Sequence, residues 1–543
     1  MVKKNSLKHK KPRKFLSQIS KKEWKYILLI TAIVTLLSLL PLILGYLNAP
    51  EGMVFMGIPV HVTDANNHLN LALQAKEGSI LFANKFTGED VPALIFNPYH
   101  LLIGGFSALF KTSIIFAYNF FGVLFTIIFL LLVYKFIGYF TTDKKVRLIA
   151  FILIALSNGF GFWWYLVDKV TGYSFSSVDT WLTEMNTFQS FDQPHFILSL
   201  ILMLTIFIFA IRAFEERKIK DAVWAGVAGL ILSLVHLFDI VTIAVDLSAW
   251  FLYRQIVNKY WSWKEFRTLA IIGALISPGV IYYAWVFLFN PAYAEWNSLN
   301  QTVTPPFIRI ISGFGIVFFF GISYIWFKRK ELFCIGKSET RNIQPELFLA
   351  VWVVVNFILI YAPINVQRRF IMGLHIPLCI LSAIVLIKFV MPIIKNDLLK
   401  KITVWIIVII SFATTFYILS NNIYYLNNST VGTYSNVKYL SQEDIEGLKW
   451  LDEHTNNEDV VLAPADISNY IPAVSGNKVY SGHWAQTIDY DKKSLIVKEI
   501  YTTGVVPASL PVKYVWMEND LPAAKTIQGT IVFSNKKISI YTS

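Results

Sequence analysis

The chain has 543 residues, 55% of them hydrophobic and 15% charged, where a soluble protein carries about a quarter charged residues. That balance excludes an ordinary soluble enzyme and points to a polytopic α-helical membrane protein, with 43 Phe, 26 Tyr and 16 Trp available to anchor spans at the membrane interfaces. The formal net charge is +13, but the basic residues sit in the N-terminal tail and in short loops between apolar segments, where they orient a membrane chain and argue for no nucleic-acid partner.

Residues 1–25 form a basic tail, and Tyr26 to Leu47 is long enough to cross about 30 Å of hydrocarbon as a helix. The basic flank holds the N-terminus in the cytoplasm. No small-residue cleavage site is evident, so the span reads as retained. A long first outer loop, 48–112, follows. It carries His61-Val62-Thr63-Asp64-Ala65-Asn66-Asn67-His68. A carboxylate there, among imidazoles and amides beside a membrane, is a candidate general base. The alternative is that Asp64 caps a helix beginning at Ala65. Ala93 to Phe110, led by Asn97-Pro98, reads as a helix on the outer surface. Ile114 to Tyr139 is the better span, and it leaves Asp143-Lys144-Lys145-Val146-Arg147 inside.

Leu148 to Val167 runs outward to a second outer loop, 168–194, and Phe196 to Ile211 returns. Ala222 to Tyr253 is too long for one span and short for two. It reads as two short helices meeting at His236-Leu237-Phe238-Asp239. Leu269 to Phe289, Ile308 to Phe327, Leu347 to Tyr361, Phe370 to Val390 and Ile402 to Leu419 complete about eleven spans. Lys and Arg cluster on the inner side throughout, which leaves the C-terminus outside a multi-pass plasma membrane protein. After the transmembrane region, 26–425, the composition changes. Asp444 to His454 reads as an amphipathic helix. Strands are expected at 459–463, 478–480 and 514–516, with a hairpin over 531–541. Residues 430–543 are therefore expected to form a small extracytoplasmic α/β domain. The two cysteines, Cys334 and Cys379, lie far apart and imply no disulfide framework.

With this topology the unusual polar residues gather outside. His61, Asp64 and His68 lie in the first loop, and Asn97 and His100 on the surface helix. Asp179, Glu184, Asp192 and His195 belong to the second loop. Arg368 and Arg369 lie at the outer end of two spans, against the positive-inside preference. They either pair with headgroup phosphates or hold the phosphate of a bound lipid carrier, which suits the guanidinium fork. His236 and Asp239 share a helical face, as a mutual pair or as a substrate contact. Asp192 and His195 repeat that spacing, as a helix cap or a ligand pair. A divalent ion is possible chemistry for such a mixture, but no tight metal-ligand spacing occurs, and the metal stays open. Gly482-His483-Trp484-Ala485-Gln486-Thr487 combines a ring, an amide and an imidazole, as a sugar-facing surface does. No Walker-type loop, Gly-x-Gly-x-x-Gly before a helix, His-Glu-x-x-His or Gly-x-Ser-x-Gly is present, so a nucleotide-driven pump or a zinc membrane protease is unsupported.

The layout resembles the GT-C superfamily of integral-membrane glycosyltransferases, which includes protein O-mannosyltransferases, lipid A aminoarabinose transferases and oligosaccharyltransferase catalytic subunits. The resemblance rests on the basic start and single span, then the long first outer loop with its acid in His61-Val62-Thr63-Asp64-Ala65-Asn66-Asn67-His68. The surface helix introduced by Asn97-Pro98-Tyr99-His100 and a last span leading to an external α/β domain complete it. The run Gly482 to Thr487 also looks like a segment of large prokaryotic membrane proteins of this kind. The resemblance implies that Asp64 is catalytic and that the donor sugar rides on a polyprenyl phosphate. It implies transfer with inversion to an extracytoplasmic glycan, lipid or protein, with Arg368 or Arg369 at the departing phosphate. The family often pairs the first-loop acid with a second. Ala65 and Asn66 follow Asp64 here, so Asp179 or Asp192 is the expected partner. His68, His100, Asp192, His195, His236, Asp239 and His483 are expected to face acceptor or sugar, or to supply the second acid. The rival class is a lipid or solute transporter or flippase, which also places ionisable groups within spans. A third reading is an envelope assembly protein working through its external domain. The one-sided polar groups and the lack of an inverted repeat favour the enzyme.

Overall fold

The computed structural model describes residues 19–299, 301–332, 343–427 and 437–542; Cys334 lies outside them. The chain is a polytopic helical membrane protein with a small sheet at its C-terminal end. The first helix, α1, spans Lys21–Leu47 and starts at Ser20, whose hydroxyl accepts from the Glu23 N–H. Among the described residues seven helices are long and apolar enough to cross a membrane. Two bent pairs raise the number to nine: Lys144–Leu156 with Gly161–Thr171, at 54°, and Phe307–Phe314 with Ile316–Phe327, at 100°. The sequence reading expects about eleven. The difference lies in Ile219–Val235 and Glu346–Leu359, apolar helices of 17 and 14 residues. At 1.5 Å per residue they reach only about 26 and 21 Å, short of the hydrocarbon thickness.

The break expected in Ala222 to Tyr253 falls at His236, between Ile219–Val235 and Leu237–Asn258. The second of these is not short: its 22 residues pass as a span. The second helix, α2, spans Val62–Lys76, so it starts three residues before Ala65. Its N-cap is His61, in the left-handed region at φ 54°, with no side-chain cap bond. Asp64 therefore sits in the first turn and is not the cap. There its charge meets the positive end of the helix dipole.

The third helix, α3, spans Pro98–Phe110 and so starts five residues into the expected Ala93 to Phe110, because the Asn97 side chain caps it, accepting from the Tyr99 N–H at 3.0 Å. It crosses α2 at Gly104, where a Cβ would press against the Ala72 carbonyl and the Ala75 methyl. Only glycine permits that approach, and it brings His100 of α3 to His68 of α2.

Between α1 and α2, β1 (Met53–Phe55) pairs antiparallel with β2 (Tyr439–Ser441), Met53 opposite Ser441. A capping box between Ser441 and Asp444 then starts the helix Gln442–His454. A five-stranded sheet follows in the order β4-β3-β5-β7-β6. It comprises β3 (Val460–Leu462), β4 (Lys478–Val479), β5 (Tyr514–Glu518), β6 (Thr530–Ser534) and β7 (Ile538–Thr542). β3 is parallel to both β4 and β5, and β7 is antiparallel to β5 and β6. Alternation along β5 sends Trp516 to the core shared with the helices and Val515 and Met517 to the core under Ile500.

The segment between α2 and α3 is sewn to this sheet. The Val479 N–H donates to the Lys85 carbonyl at 3.0 Å, and Thr87 bridges Ser481. Three ammonium groups cross the same seam. Lys85 Nζ donates to the Asn457 and Gly476 carbonyls at 3.0 and 2.9 Å. Lys478 Nζ lies 2.8 Å from Asp90 Oδ1, and Lys493 Nζ 2.6 Å from Glu89 Oε2. These lysines are buried, and a buried ammonium is costly unless paired, so the seam is held to one register.

Candidate active site

A cavity of about 530 Å³ lies among the first turn of α2, the segment 181–193, the break at His236, the turn Gln367–Ile371 and the segment 483–488. Asp64 and His68, one helical turn apart, share the face of α2 that lines it. The Asp64 side chain is 54% exposed to this space. Its Oδ1 lies 3.2 Å from Nε2 of His483, which is 4% exposed. Burial pushes the Asp64 carboxyl up, and the His483 hydrogen bond leads the effects that outweigh it, so the group sits below the usual carboxylate range. It is ionised at neutral pH.

Behind Asp64 the imidazoles stack. His68 Nδ1 and His100 Nε2 are 2.9 Å apart and share a hydrogen bond, and the His195 ring centroid lies 4.1 Å from that of His68. Burial lowers His68 to about 4 and His100 well below its ordinary value. These two rings are neutral hydrogen-bonding groups. His236 also lines the cavity, with Nδ1 3.0 Å from Asp239 Oδ2 but out of line for a hydrogen bond.

Arg368 and Arg369 stand on the cavity wall. The Arg368 N–H donates to the Thr302 carbonyl at 3.0 Å, which fixes the turn. Its guanidinium lies 5.3 Å over the Trp181 ring, and that of Arg369 lies 5.1 Å over Phe238. Arg369 Nη1 is 3.8 Å from Glu184 Oε1. Both Nε atoms are buried without a hydrogen-bond partner among the described residues, so the pair keeps donors for an anion.

Asp64, His68, His100, His195, His236, Arg368, Arg369 and His483 thus meet at one cavity. Asp179, Asp192 and Asp239 are not part of its wall. Asp179 accepts from the Gly161 N–H at 3.0 Å and from Ser177, and burial raises it to about 6. It ties the loop around Ser177 to the helix Gly161–Thr171. Asp192 is raised by burial to about 7. Nor does it cap the next helix: Pro194–Glu216 has Gln193 at its N-cap. Asp239 is fully buried behind His236. The second carboxylate on the wall is instead Glu184, which the sequence shows only as one loop acid among several. Thr183 beside it shares a 3.3 Å hydrogen bond with His61 Nε2. Among the described residues no group of three or more His, Cys, Asp or Glu is placed to hold a metal ion.

No family model and no curated protein matches the chain. Solved structures do. The oligosaccharyltransferase AglB of Archaeoglobus fulgidus, solved with an inhibitory peptide and a dolichol-phosphate, is 14% identical with a TM-score of 0.53, covering 92% of this chain and 70% of that one. The Archaeoglobus fulgidus oligosaccharyltransferase tethered to an acceptor peptide is 14% identical with a TM-score of 0.53, covering 96% and 74%. ArnT of Cupriavidus metallidurans, bound to undecaprenyl phosphate, is 11% identical with a TM-score of 0.52, covering 96% of this chain and 98% of that one. At such identities the likeness lies in the fold, and it extends over almost the whole chain. This protein has the fold of the GT-C superfamily of integral-membrane glycosyltransferases.

Proposed function

We propose that the protein is a membrane glycosyltransferase that moves a sugar from a polyprenyl-phosphate carrier to an acceptor outside the cytoplasm. The observation that carries this reading is that the polar cavity adjoins an apolar one. A groove of about 610 Å³ between Leu237–Asn258 and Trp263–Phe289 shares Leu237, Tyr283 and Phe287 with the wall that holds Asp64 and the arginines. A lipid-borne donor needs that junction: an apolar path for the chain and cations for its phosphate. The dolichol-phosphate and undecaprenyl phosphate held by the similar proteins support the same donor class.

In this reaction the acceptor hydroxyl gives its proton to Asp64 while its oxygen bonds to the anomeric carbon. The bond from that carbon to the phosphate oxygen breaks, and the electron pair leaves with the phosphate. Arg368 and Arg369 stabilise the charge that grows there. One displacement inverts the anomeric carbon. His68, His100, His195 and His236 offer hydrogen bonds to sugar or acceptor hydroxyls. Residues 1–25 are cytoplasmic, 26–425 form the transmembrane body, and the loop 48–112 and the region 430–543 lie outside the plasma membrane. The acceptor is a glycan, lipid or protein presented there.

The test is turnover by the purified protein in lipid vesicles, with a panel of polyprenyl-phosphate sugars and candidate acceptors. Free polyprenyl phosphate and glycosylated acceptor should appear together, and nucleotide sugars should not turn over. Movement of lipid or solute across the bilayer with no sugar released would establish the transporter instead.

A further inference from the structure

We propose that His483 is the positioning residue for the Asp64 carboxylate, so that the C-terminal region supplies part of the active site and is not an appendage to it. The inference rests on Asp64 being the base. The protonation of His483 follows from its contacts. The Ala485 N–H donates to Nδ1 at 3.0 Å, so in the neutral ring Nε2 carries the hydrogen. It donates to Asp64 Oδ1 at 3.2 Å. One carboxylate oxygen is thereby held, and the other remains to take the acceptor proton. The exposures divide the labour in the same way: the Asp64 side chain is half open to the cavity, and the His483 side chain is 4% exposed.

The ring has little freedom. The Gln486 and Thr487 N–H groups donate to the His483 carbonyl at 3.0 and 2.9 Å, closing a turn. The Gly482 N–H donates to Thr487 Oγ1, which donates in turn to the Phe86 carbonyl at 2.6 Å. A Cβ on Gly482 would come within 2.9 Å of the Phe86 ring and of Val479, so this position needs glycine to lie so close to the first loop. The Phe86 ring meets the imidazole edge-on at 5.9 Å. The ammonium groups of Lys85, Lys478 and Lys493 lock the same two stretches of chain together. An imidazole needed only to fill space would not require this scaffold, nor point Nε2 at the half-open carboxylate of another element.

The test compares wild type, Asp64→Asn, His483→Ala and His483→Gln as full-length protein, with a polyprenyl-phosphate sugar that wild type turns over. It reads kcat, donor KM, the pH profile and Tm. The titratable groups around Asp64 are His61 and His68 from its own segment, His483 from the C-terminal region and Tyr118 from the neighbouring span, with Glu184 beside His61. His483→Ala should lower kcat by about tenfold or more with donor KM little changed, and move the acid limb of kcat up by about one pH unit as Asp64 loses its donor. His483→Gln, whose amide can donate from the Nε2 position, should recover most of kcat and return the acid limb. An unshifted acid limb with wild-type kcat in His483→Ala overturns the inference and leaves the base in place. Equal loss of Tm and activity in both His483 variants also overturns it, in favour of a folding role. Turnover by Asp64→Asn at the wild-type rate would overturn the base itself, and this inference with it.

Discussion

Two neighbouring glycines of α3 provide a controlled perturbation. A methyl on Gly104 would lie 2.5 Å from the Ala75 Cβ, 2.7 Å from the Lys76 nitrogen and closer still to the Ala72 carbonyl. Carbon contacts settle near 3.5–4.0 Å, so α3 must retreat by about 1 Å. Two of these three atoms are backbone and cannot swing aside. Overpacking of this kind costs about 1–3 kcal/mol. A Cβ on Gly105 would meet nothing within 4 Å. There the same substitution should gain about 0.5–1 kcal/mol from the helix preference of alanine. Alanine's helix preference acts at both positions, so the two variants should differ by the overpacking cost alone, about 1–3 kcal/mol, with Gly104→Ala the less stable. Retreat of α3 would also break the 2.9 Å contact from His100 to His68, one turn from Asp64. A misplacement of that size near reacting groups can cost about 10²-fold. Thermal unfolding and sugar turnover of Gly104→Ala and Gly105→Ala, purified side by side, read both quantities. Equal Tm and equal turnover in the two variants would refute the close-crossing argument.

Arg369→Ala should lower kcat by about 10²-fold or more, as removal of a charge-stabilising donor does. Arg369→Lys should restore only part of it, because the ammonium lacks the fork, and steady-state kinetics with a polyprenyl-phosphate sugar check both. Ala244 lines the apolar groove, so Ala244→Trp should raise KM for long-chain donors and spare a short-chain one. Asp192 is raised from 3.8 to about 7 in the fold, so its stabilising contribution is complete below pH 4 and is lost as pH rises to 7. Asp192→Asn should remove that slope. It should gain about 3 kcal/mol on wild type between pH 5 and pH 8, and denaturation at the two pH values measures it.

Much of the helical body was legible in apolar length and basic loops. The break at His236 followed from a segment of the wrong length with an imidazole and a carboxylate at its middle. The start of α3 falls five residues inside the apolar run Ala93 to Phe110, at Asn97-Pro98, a capping residue ahead of a proline. The strands of the C-terminal sheet stood near the apolar runs that named them. The start of α2 was hidden because His61 caps it by backbone conformation alone, which no side-chain signal encodes. Local spacing misled at Asp192 and Asp239: the i, i+3 pairing with His195 and His236 places an acid near an imidazole but does not say which of the two reaches the cavity. Nothing local joins Asp64 to His483, 419 residues apart. Nor does composition show that Lys85, Lys478 and Lys493 are buried seam residues, because each has a carboxylate partner in a distant part of the chain.

The central claim is that Asp64 takes the acceptor proton, and its most direct test is single-site. Asp64→Asn keeps the volume and an oxygen for the His483 Nε2 hydrogen, but an amide cannot act as the base. With donor binding and Tm held, sugar transfer by the purified variant should fall by about 10²–10⁴-fold. Transfer at the wild-type rate would contradict the account and move the chemistry to another group of the cavity, with Glu184 the first to examine.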